Sequence, residues 1–270
     1  MPRIALLQMT SGIDPAVNAA TLVRAAGEAA RDGAQMLFTP EMSGLLDRDR
    51  ARAARSIRAE ADDPVLAAVR GAARANGLCI ALGSLALQHE AGGWANRSFL
   101  IDTRGEIVAR YDKLHMFDVD LASGESWHES NAYRAGERAV AVAGTPVGRL
   151  GLTICYDLRF PGLFAALGSC DVIAVPSAFT VPTGEAHWHV LLRARAIEAS
   201  AYVIAAAQAG EHGDGRRTYG HSLVVDPWGE VLLDMGAASP GLGFADIDPA
   251  RVAEVRGQLP SLANRREIAT

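Results

Sequence analysis

The chain has 270 residues, 49% of them hydrophobic, and a formal net charge of −5. That length buries a sizeable core, and a mildly acidic balance without runs of like charge excludes an electrostatic nucleic-acid binder. No apolar stretch approaches the ~20 residues that a membrane helix needs, and three cysteines (Cys79, Cys155 and Cys170) are too few for a disulfide framework, so a reducing cytoplasmic setting is expected.

Strands and helices alternate from the first residues. The opening apolar run is too short for a signal peptide and predicts a strand over Ile4–Met9. Asp14-Pro15 is an N-cap followed by proline at the first helical position, predicting a helix to about Arg31 that stops before Gly33. Gln35–Thr39 is a short buried strand ending in Pro40-Glu41. The arginines of Asp47–Arg58 alternate with acids and alanines and read as a solvated helix face. Asp63-Pro64 opens a second helix that ends near Gly77. Leu78–Leu87, Arg97–Asp102 and Glu106–Arg110 are strands. Leu114–Arg138 is long, polar and aromatic without periodicity, and a loop of that length inside a compact chain is usually functional. Strands resume at Ala139–Ala143 and Gly148–Cys155. A short helix begins at Pro161, Val172–Val175 is a buried strand, and a helix runs from about Ala186 to Glu198. Strands at Tyr202–Ala207, Ser222–Asp226, Val231–Leu233 and Phe244–Ile247 precede a last helix over Pro249–Leu259. There is no repeat and no linker. More strands are present than one open sheet holds comfortably, so the expectation is one α/β domain, residues 1–270, with two sheets.

Three reactive side chains follow three of these strands. Of 26 lysines and arginines, Lys113 alone is lysine. Lysine is a compact point charge with a movable pKa, whereas arginine is a wide planar fork, so a single lysine marks a position where guanidinium does not substitute. Cys155 ends the run Leu150–Ile154 and precedes a helix; a strand-to-helix turn exposes a side chain and aims backbone N–H groups at it, among them that of Tyr156. Cys79 and Cys170 lie in apolar surroundings and read as buried structural cysteines. Glu41 follows the strand at Met36–Thr39. Strand carboxyl ends are where ligand sites gather in α/β sheets. A thiol, an ammonium and a carboxylate on one rim suffice to hydrolyse an amide. The thiolate attacks the carbonyl carbon, the ammonium and a backbone N–H hold the oxyanion, and the carboxylate moves the protons.

Other constellations carry less. His187 and His189 have a metal-like spacing, but at i, i+2 on a helix the two side chains point apart, so no metal is expected there. His187 and Trp188 are instead expected to line a substrate pocket with Phe179, Thr180 and Thr183. Arg159 is a candidate clamp for a substrate carboxylate, although an ion pair with Asp157 or a partner subunit is the favoured reading. His115, His128 and His221 read as loop hydrogen-bonders. Gly210–Gly215 reads as a surface loop at the edge of the cleft.

Beyond these local readings, the chain resembles the nitrilase superfamily of carbon–nitrogen hydrolases, close to its Nit branch of deaminated-glutathione amidases and ω-amidases. The resemblance rests on ordered blocks: Tyr111–Asp120, Gly124-Glu125-Ser126, Glu129-Ser130, Ile154–Pro161, Pro176–Thr180, Thr183-Gly184, Ala186-His187-Trp188, Arg193–Glu198, Tyr219–Ser222 and Asp226–Gly229. It implies Glu41 as general base, Lys113 as oxyanion-stabilising cation and Cys155 as nucleophile. It adds Glu129 as a second carboxylate that positions substrate and Lys113. It also implies a four-layer α-β-β-α sandwich, a homodimer, and no metal or organic cofactor. Two departures stand out. Met42-Ser43-Gly44 replaces the aromatic or acidic residue that often follows the first glutamate, and Asn264-Arg265-Arg266 replaces the usual His-Arg-Arg.

The function expected is a cysteine-dependent amidohydrolase that cleaves a small carboxylated amide through a thioester and releases ammonia, with deaminated glutathione or ω-amides of dicarboxylic acids as substrates. N-carbamoyl-amino-acid or nitrile hydrolysis is the enzymatic alternative. A thiol redox or binding protein on the same scaffold is the non-enzymatic one.

Overall fold

The computed structural model describes residues 1–266 apart from Ser123, Glu125 and Ala238, so Glu125 of the Gly124-Glu125-Ser126 block lies outside the described residues. In chain order the elements are β1 (Arg3–Gln8), α1 (Pro15–Arg31), β2 (Met36–Phe38), α2 (Arg50–Ala53), α3 (Pro64–Asn76), β3 (Cys79–Gln88), β4 (Trp94–Ile101) and β5 (Ile107–Asp112). The short β6 (Asp118–Asp120), β7 (Ser126–His128) and β8 (Tyr133–Arg134) follow, then β9 (Val140–Thr145), β10 (Gly148–Leu152), α4 (Pro161–Leu167), β11 (Val172–Ala174) and α5 (Val181–Ala199). The chain continues through β12 (Tyr202–Ala205), β13 (Ala209–Glu211), β14 (Arg217–Tyr219), β15 (Leu223–Val225), β16 (Val231–Asp234), β17 (Gly241–Asp246) and α6 (Pro249–Gln258).

Two mixed sheets result, as expected. The first has the order β17-β1-β2-β3-β4-β5 with β8 beside β4; the second has the order β16-β15-β12-β11-β10-β9. The parallel strands form the centre of each sheet, β1-β2-β3 in one and β10-β11-β12 in the other. Alternation along β1 explains the layering. Ala5 and Leu7 join a core with Leu22 and Ala26 of α1 and Val69 and Ala73 of α3. Ile4 and Leu6 face the other way and join Leu150, Leu152 and Val172 of the second sheet, whose core continues into Leu163 and Phe164 of α4 and Leu192 and Ala196 of α5. Helices therefore cover the outer face of each sheet, and the inner faces meet.

Three helices start on the same device. Asp14, Asp63 and Asp248 each accept a hydrogen bond from a first-turn amide, and each precedes a proline at the first helical position. α5 differs from expectation. It begins at Val181, five residues before Ala186. Pro182 lies in the first turn, where its missing N–H costs nothing, and Gly184 is needed because a Cβ there would sit 2.2 Å from the Tyr219 ring. The long polar segment after β5 is organised too: β6 and β7 form a hairpin, and β8 joins the first sheet. Gly210–Gly215 is the bend of the β13–β14 hairpin rather than a free surface loop, with His212 and Asp214 buried beneath it. No helix among the described residues is long and apolar enough to cross a membrane. Asn264-Arg265-Arg266 is exposed.

Candidate active site

Glu41, Lys113 and Cys155 converge from the ends of β2, β5 and β10, and each is held by its own backbone. Past β2 the chain is threaded against β3 at Gly83, where a Cβ would lie 2.0 Å from the Thr39 carbonyl oxygen. The Gly83 amide donates to Thr39 Oγ1 at 2.9 Å, and Gln208 Nε2 donates to the Glu41 carbonyl at 2.8 Å. Lys113 continues the register of β5 on β4, with its amide donating to the Asn96 carbonyl at 3.0 Å. Cys155 has φ +50°, in the left-handed region that side chains rarely occupy. Such strain costs about 1–3 kcal/mol and persists where surroundings over-determine it; here the Cys155 amide donates to the Pro176 carbonyl at 2.9 Å.

Asp157 joins the two strand ends. Its carboxylate is fully buried and accepts from Tyr111 Oη at 2.6 Å, from the His115 amide at 3.1 Å and from the Ile154 amide at 2.9 Å, with His115 Nδ1 2.7 Å away. Tyr111 and His115 flank Lys113, and Ile154 precedes Cys155. One side chain therefore ties the segment that bears Lys113 to the one that bears Cys155. The ion pair expected between Arg159 and Asp157 does not form, because these groups already occupy the carboxylate.

Lys113 Nζ lies 3.0 Å from Glu41 Oε1 and 2.8 Å from Glu129 Oε2, with its side chain 2% exposed. Asn96 Nδ2 bridges the same two carboxylates, at 2.9 Å from Glu41 Oε1 and 3.1 Å from Glu129 Oε1. The Ala178 amide donates to Glu41 Oε2 at 3.0 Å, and the Phe117 amide donates to Glu129 Oε2 at 2.7 Å. The two carboxylates thus share one cation and one side-chain amide, and each has a backbone N–H donor of its own.

The protonation state follows from these neighbours. Burial alone would raise the Glu41 pKa, but the Lys113 ammonium and the hydrogen-bonding Cys155, Lys113 and Asn96 outweigh it and hold the carboxyl below its ordinary range. Burial would lower the Lys113 pKa; Glu129, Glu41 and Cys155 together push it well above the ordinary lysine value. Burial, and then the Glu41 charge, push the Cys155 thiol well above its usual value, with only partial relief from Lys113. The resting site is therefore a thiol beside a carboxylate and an ammonium. Cys79 and Cys170 are also buried and displaced upward, Cys79 to about 12, as suits structural cysteines.

These groups open on a cleft of about 1010 Å³, part of it in contact with solvent. Phe179, Thr180, Thr183 and Arg159 line it. His187 and Trp188 do not. Trp188 is buried behind the wall, packed on Phe179 with ring centroids 4.8 Å apart and donating Nε1–H to the His221 carbonyl at 2.8 Å. His187 is exposed on α5, its Nδ1 3.2 Å from Arg159 Nη1. As expected, His187 and His189 point apart. His115 and His221 both bond carboxylates, and His128 bonds Ser126 while lining the cleft. Tyr156 is the second residue of the 3₁₀ turn Cys155–Arg159, where an N–H has no partner within the turn.

Sequence reasoning missed Asn96, the aromatic wall of Trp94, Phe117, Trp127 and Tyr133, and three further arginines, Arg48, Arg50 and Arg216, at the cleft. Asn96 left no local signal, since Arg97 and Ser98 follow it in β4. Arg216 comes from the β13–β14 hairpin and lies 4.5 Å over the Trp127 ring.

Comparison with known proteins is consistent along the whole chain. A family profile described as carbon-nitrogen hydrolase matches residues 3–257. The chain is 42% identical over 272 residues to the deaminated glutathione amidase of Yersinia enterocolitica, covering 99% of this chain and 94% of that one. Among solved structures, the NitFhit protein of C. elegans has a TM-score of 0.89 and 36% identity; the match covers 98% of this chain, which spans 65% of that longer one. A mutant of the amidase from Nesterenkonia sp. AN1, with acrylamide joined by Michael addition at its active-site cysteine, has a TM-score of 0.78 and 29% identity, covering 96% of this chain and 98% of that one.

Proposed function

The chain belongs to the carbon–nitrogen hydrolase family and is an amidase; from that premise we propose that Cys155, Glu41, Lys113 and Glu129 carry the reaction and that the substrate is a small amide bearing carboxylates. Glu41 removes the thiol proton as Sγ attacks the amide carbon. Lys113 Nζ and the Tyr156 N–H receive the oxyanion. Protonated Glu41 then passes its proton to the nitrogen, the C–N bond breaks, and an amine and a thioester remain. Water, deprotonated by Glu41, attacks the thioester; collapse of the second tetrahedral intermediate expels the thiolate, which regains its proton as the acid departs. Glu129 keeps Lys113 and the substrate in place without exchanging a proton. Oxyanion donors contribute about 10²–10³-fold each and general acid–base transfer about 10²–10⁴-fold, so the placed ammonium and the Glu41 base together supply most of the acceleration. The observation that carries this reading is the single network joining Lys113, Glu41, Glu129 and Asn96 beside Cys155.

Four arginines around the cleft, Arg48, Arg50, Arg159 and Arg216, support a substrate with carboxylates. Deaminated glutathione, the substrate named for the Yersinia relative, has two carboxylates and fits such a mouth. It contains no primary amide, so its hydrolysis releases an amine, whereas an ω-amide releases ammonia; the expectation of ammonia covers only the latter. A panel of deaminated glutathione, ω-amides, N-carbamoyl amino acids and nitriles, assayed for amine, ammonia and carbon dioxide, tests the reading. Cys155→Ala should abolish turnover and the thioester adduct seen by intact mass; unchanged turnover defeats the proposal. A redox or binding role is favoured only if Cys155 reacts with peroxide while no amide acylates it.

The reading includes one hydrolase domain over residues 1–270 acting as a homodimer. Val190 and Ile197 share a face of α5 and are 69% and 43% exposed, and Ile197 lies against Gly229, next to the exposed Trp228. An apolar strip of that kind suits a second copy, and sedimentation equilibrium at twice the monomer mass checks it. Three free cysteines suit a reducing cytoplasm.

A further inference from the structure

Away from the cleft, α5, the β14–β15 connection and β16 bring two imidazoles and a carboxylate to one point. His189 Nε2 lies 3.0 Å from Asp234 Oδ2, and His221 Nδ1 lies 2.8 Å from Asp234 Oδ1. All three donor atoms are within 4.8 Å of one another. None of the three residues touches the cleft or takes part in the chemistry proposed above. We propose that His189, His221 and Asp234 form a binding site for a divalent transition-metal ion of the zinc class.

The donor set and spacing carry the inference. Zinc takes imidazole nitrogens and carboxylate oxygens at about 2.0–2.2 Å, which puts tetrahedral ligands roughly 3.4 Å apart. The observed 2.8–3.0 Å separations are those of N–H···O bonds, and an ion replacing the two ring protons opens them by a few tenths of an ångström. A ring nitrogen bound to an ion carries no proton, which leaves the other nitrogen of each ring as the N–H donor. All three side chains are partly exposed, which leaves a fourth position for water.

The site is also built around His221. That residue has φ +54°, a conformation that a non-glycine residue holds only when its surroundings fix it. Its amide donates to the Gly236 carbonyl at 2.8 Å, its carbonyl accepts from Trp188 Nε1 at 2.8 Å, and Tyr219 stacks on its ring at 4.4 Å. Asp234 Oδ1 also accepts from the Gly236 amide at 2.9 Å. The ligands are thus oriented by neighbours before any ion arrives, as in metal sites whose outer contacts set ligand direction. An ion here would tie α5, which carries Thr183 of the cleft wall, to the edge strand β16.

Tag-free protein, stripped with chelator, should take up one zinc per chain when titrated against a chromophoric competitor. His189→Ala and Asp234→Asn should each weaken uptake about tenfold or more, while Cys155→Ala leaves it unchanged. Cobalt(II)-loaded protein should show visible ligand-field bands without a thiolate charge-transfer band. Circular dichroism of the exposed-site variant His189→Ala guards against unfolding. Absence of saturable binding at micromolar zinc, binding that persists in both variants, or binding lost only with Cys155 would overturn the proposal.

Discussion

Asn96 offers the sharpest test of how the site controls its proton. Replacing it with leucine keeps the shape and removes two donors, one to Glu41 and one to Glu129. Each carboxylate keeps others: Lys113 and the Ala178 amide for Glu41, Lys113 and the Phe117 amide for Glu129. A hydrogen bond to a charged group is worth about 1.5–3 kcal/mol. If one such bond is lost from the base as it works, kcat/KM falls roughly 10–150-fold. The fold should suffer less. Asn96 Oδ1 is buried without a partner among the described residues, so leucine also removes an orphaned acceptor that costs about 1–3 kcal/mol. The pH profile separates this role from packing. Asn96 helps to hold the Glu41 pKa down. Activity and the stability contributed by this depressed group are present above its pKa and are lost as pH falls through it. Without Asn96 that pKa rises, so the acidic limb of kcat/KM moves to higher pH. Steady-state kinetics across acidic pH, with thermal melts as control, decide the matter. An unchanged rate with an unmoved acidic limb would refute the assignment.

Lys113→Arg keeps the charge but forces a wide fork into a slot that is 2% exposed, so kcat should fall about 10²-fold or more through the displaced oxyanion donor; parental activity would show that geometry at this position is unimportant. Asp157→Ala leaves the Tyr111 hydroxyl and the Ile154 amide buried without their acceptor, and urea melts should show a loss of about 2–6 kcal/mol, at ~1–3 kcal/mol per orphaned group; a melt that does not move would remove Asp157 from its bracing role. Gly83→Ala places a Cβ 2.0 Å from the Thr39 carbonyl, so the chain carrying Glu41 must retreat. Both kcat and the melting temperature should drop, and a fully active, equally stable variant would contradict the close approach.

How much of this was readable in advance depended on distance along the chain. The three strand ends were legible because apolar runs stop at Glu41, Lys113 and Cys155, and because a single lysine among arginines is conspicuous. Helix starts were legible where Asp-Pro supplies both cap and first-turn φ, at Asp14 and Asp63. The same logic failed at α5, whose cap Thr180 makes no side-chain bond and whose Pro182 and Gly184 look like helix breakers in isolation. Gly184 is explained only by the ring of Tyr219, which lies far along the chain. His187 and Trp188 were misplaced for a related reason. Adjacent helical positions diverge, and which face of α5 meets the cleft depends on how Phe179 and the β13–β14 hairpin pack against it. The candidate site carries the same lesson further. Its protonation state is set by partners contributed from β4, β5, the 3₁₀ turn at Glu129 and the chain after β11, so no local stretch encodes it. Asp157 connects the two levels: a residue two positions past Cys155 fixes the strand end that bears the lysine. Residues that look like loop punctuation in one dimension therefore brace the two strand ends that carry Lys113 and Cys155.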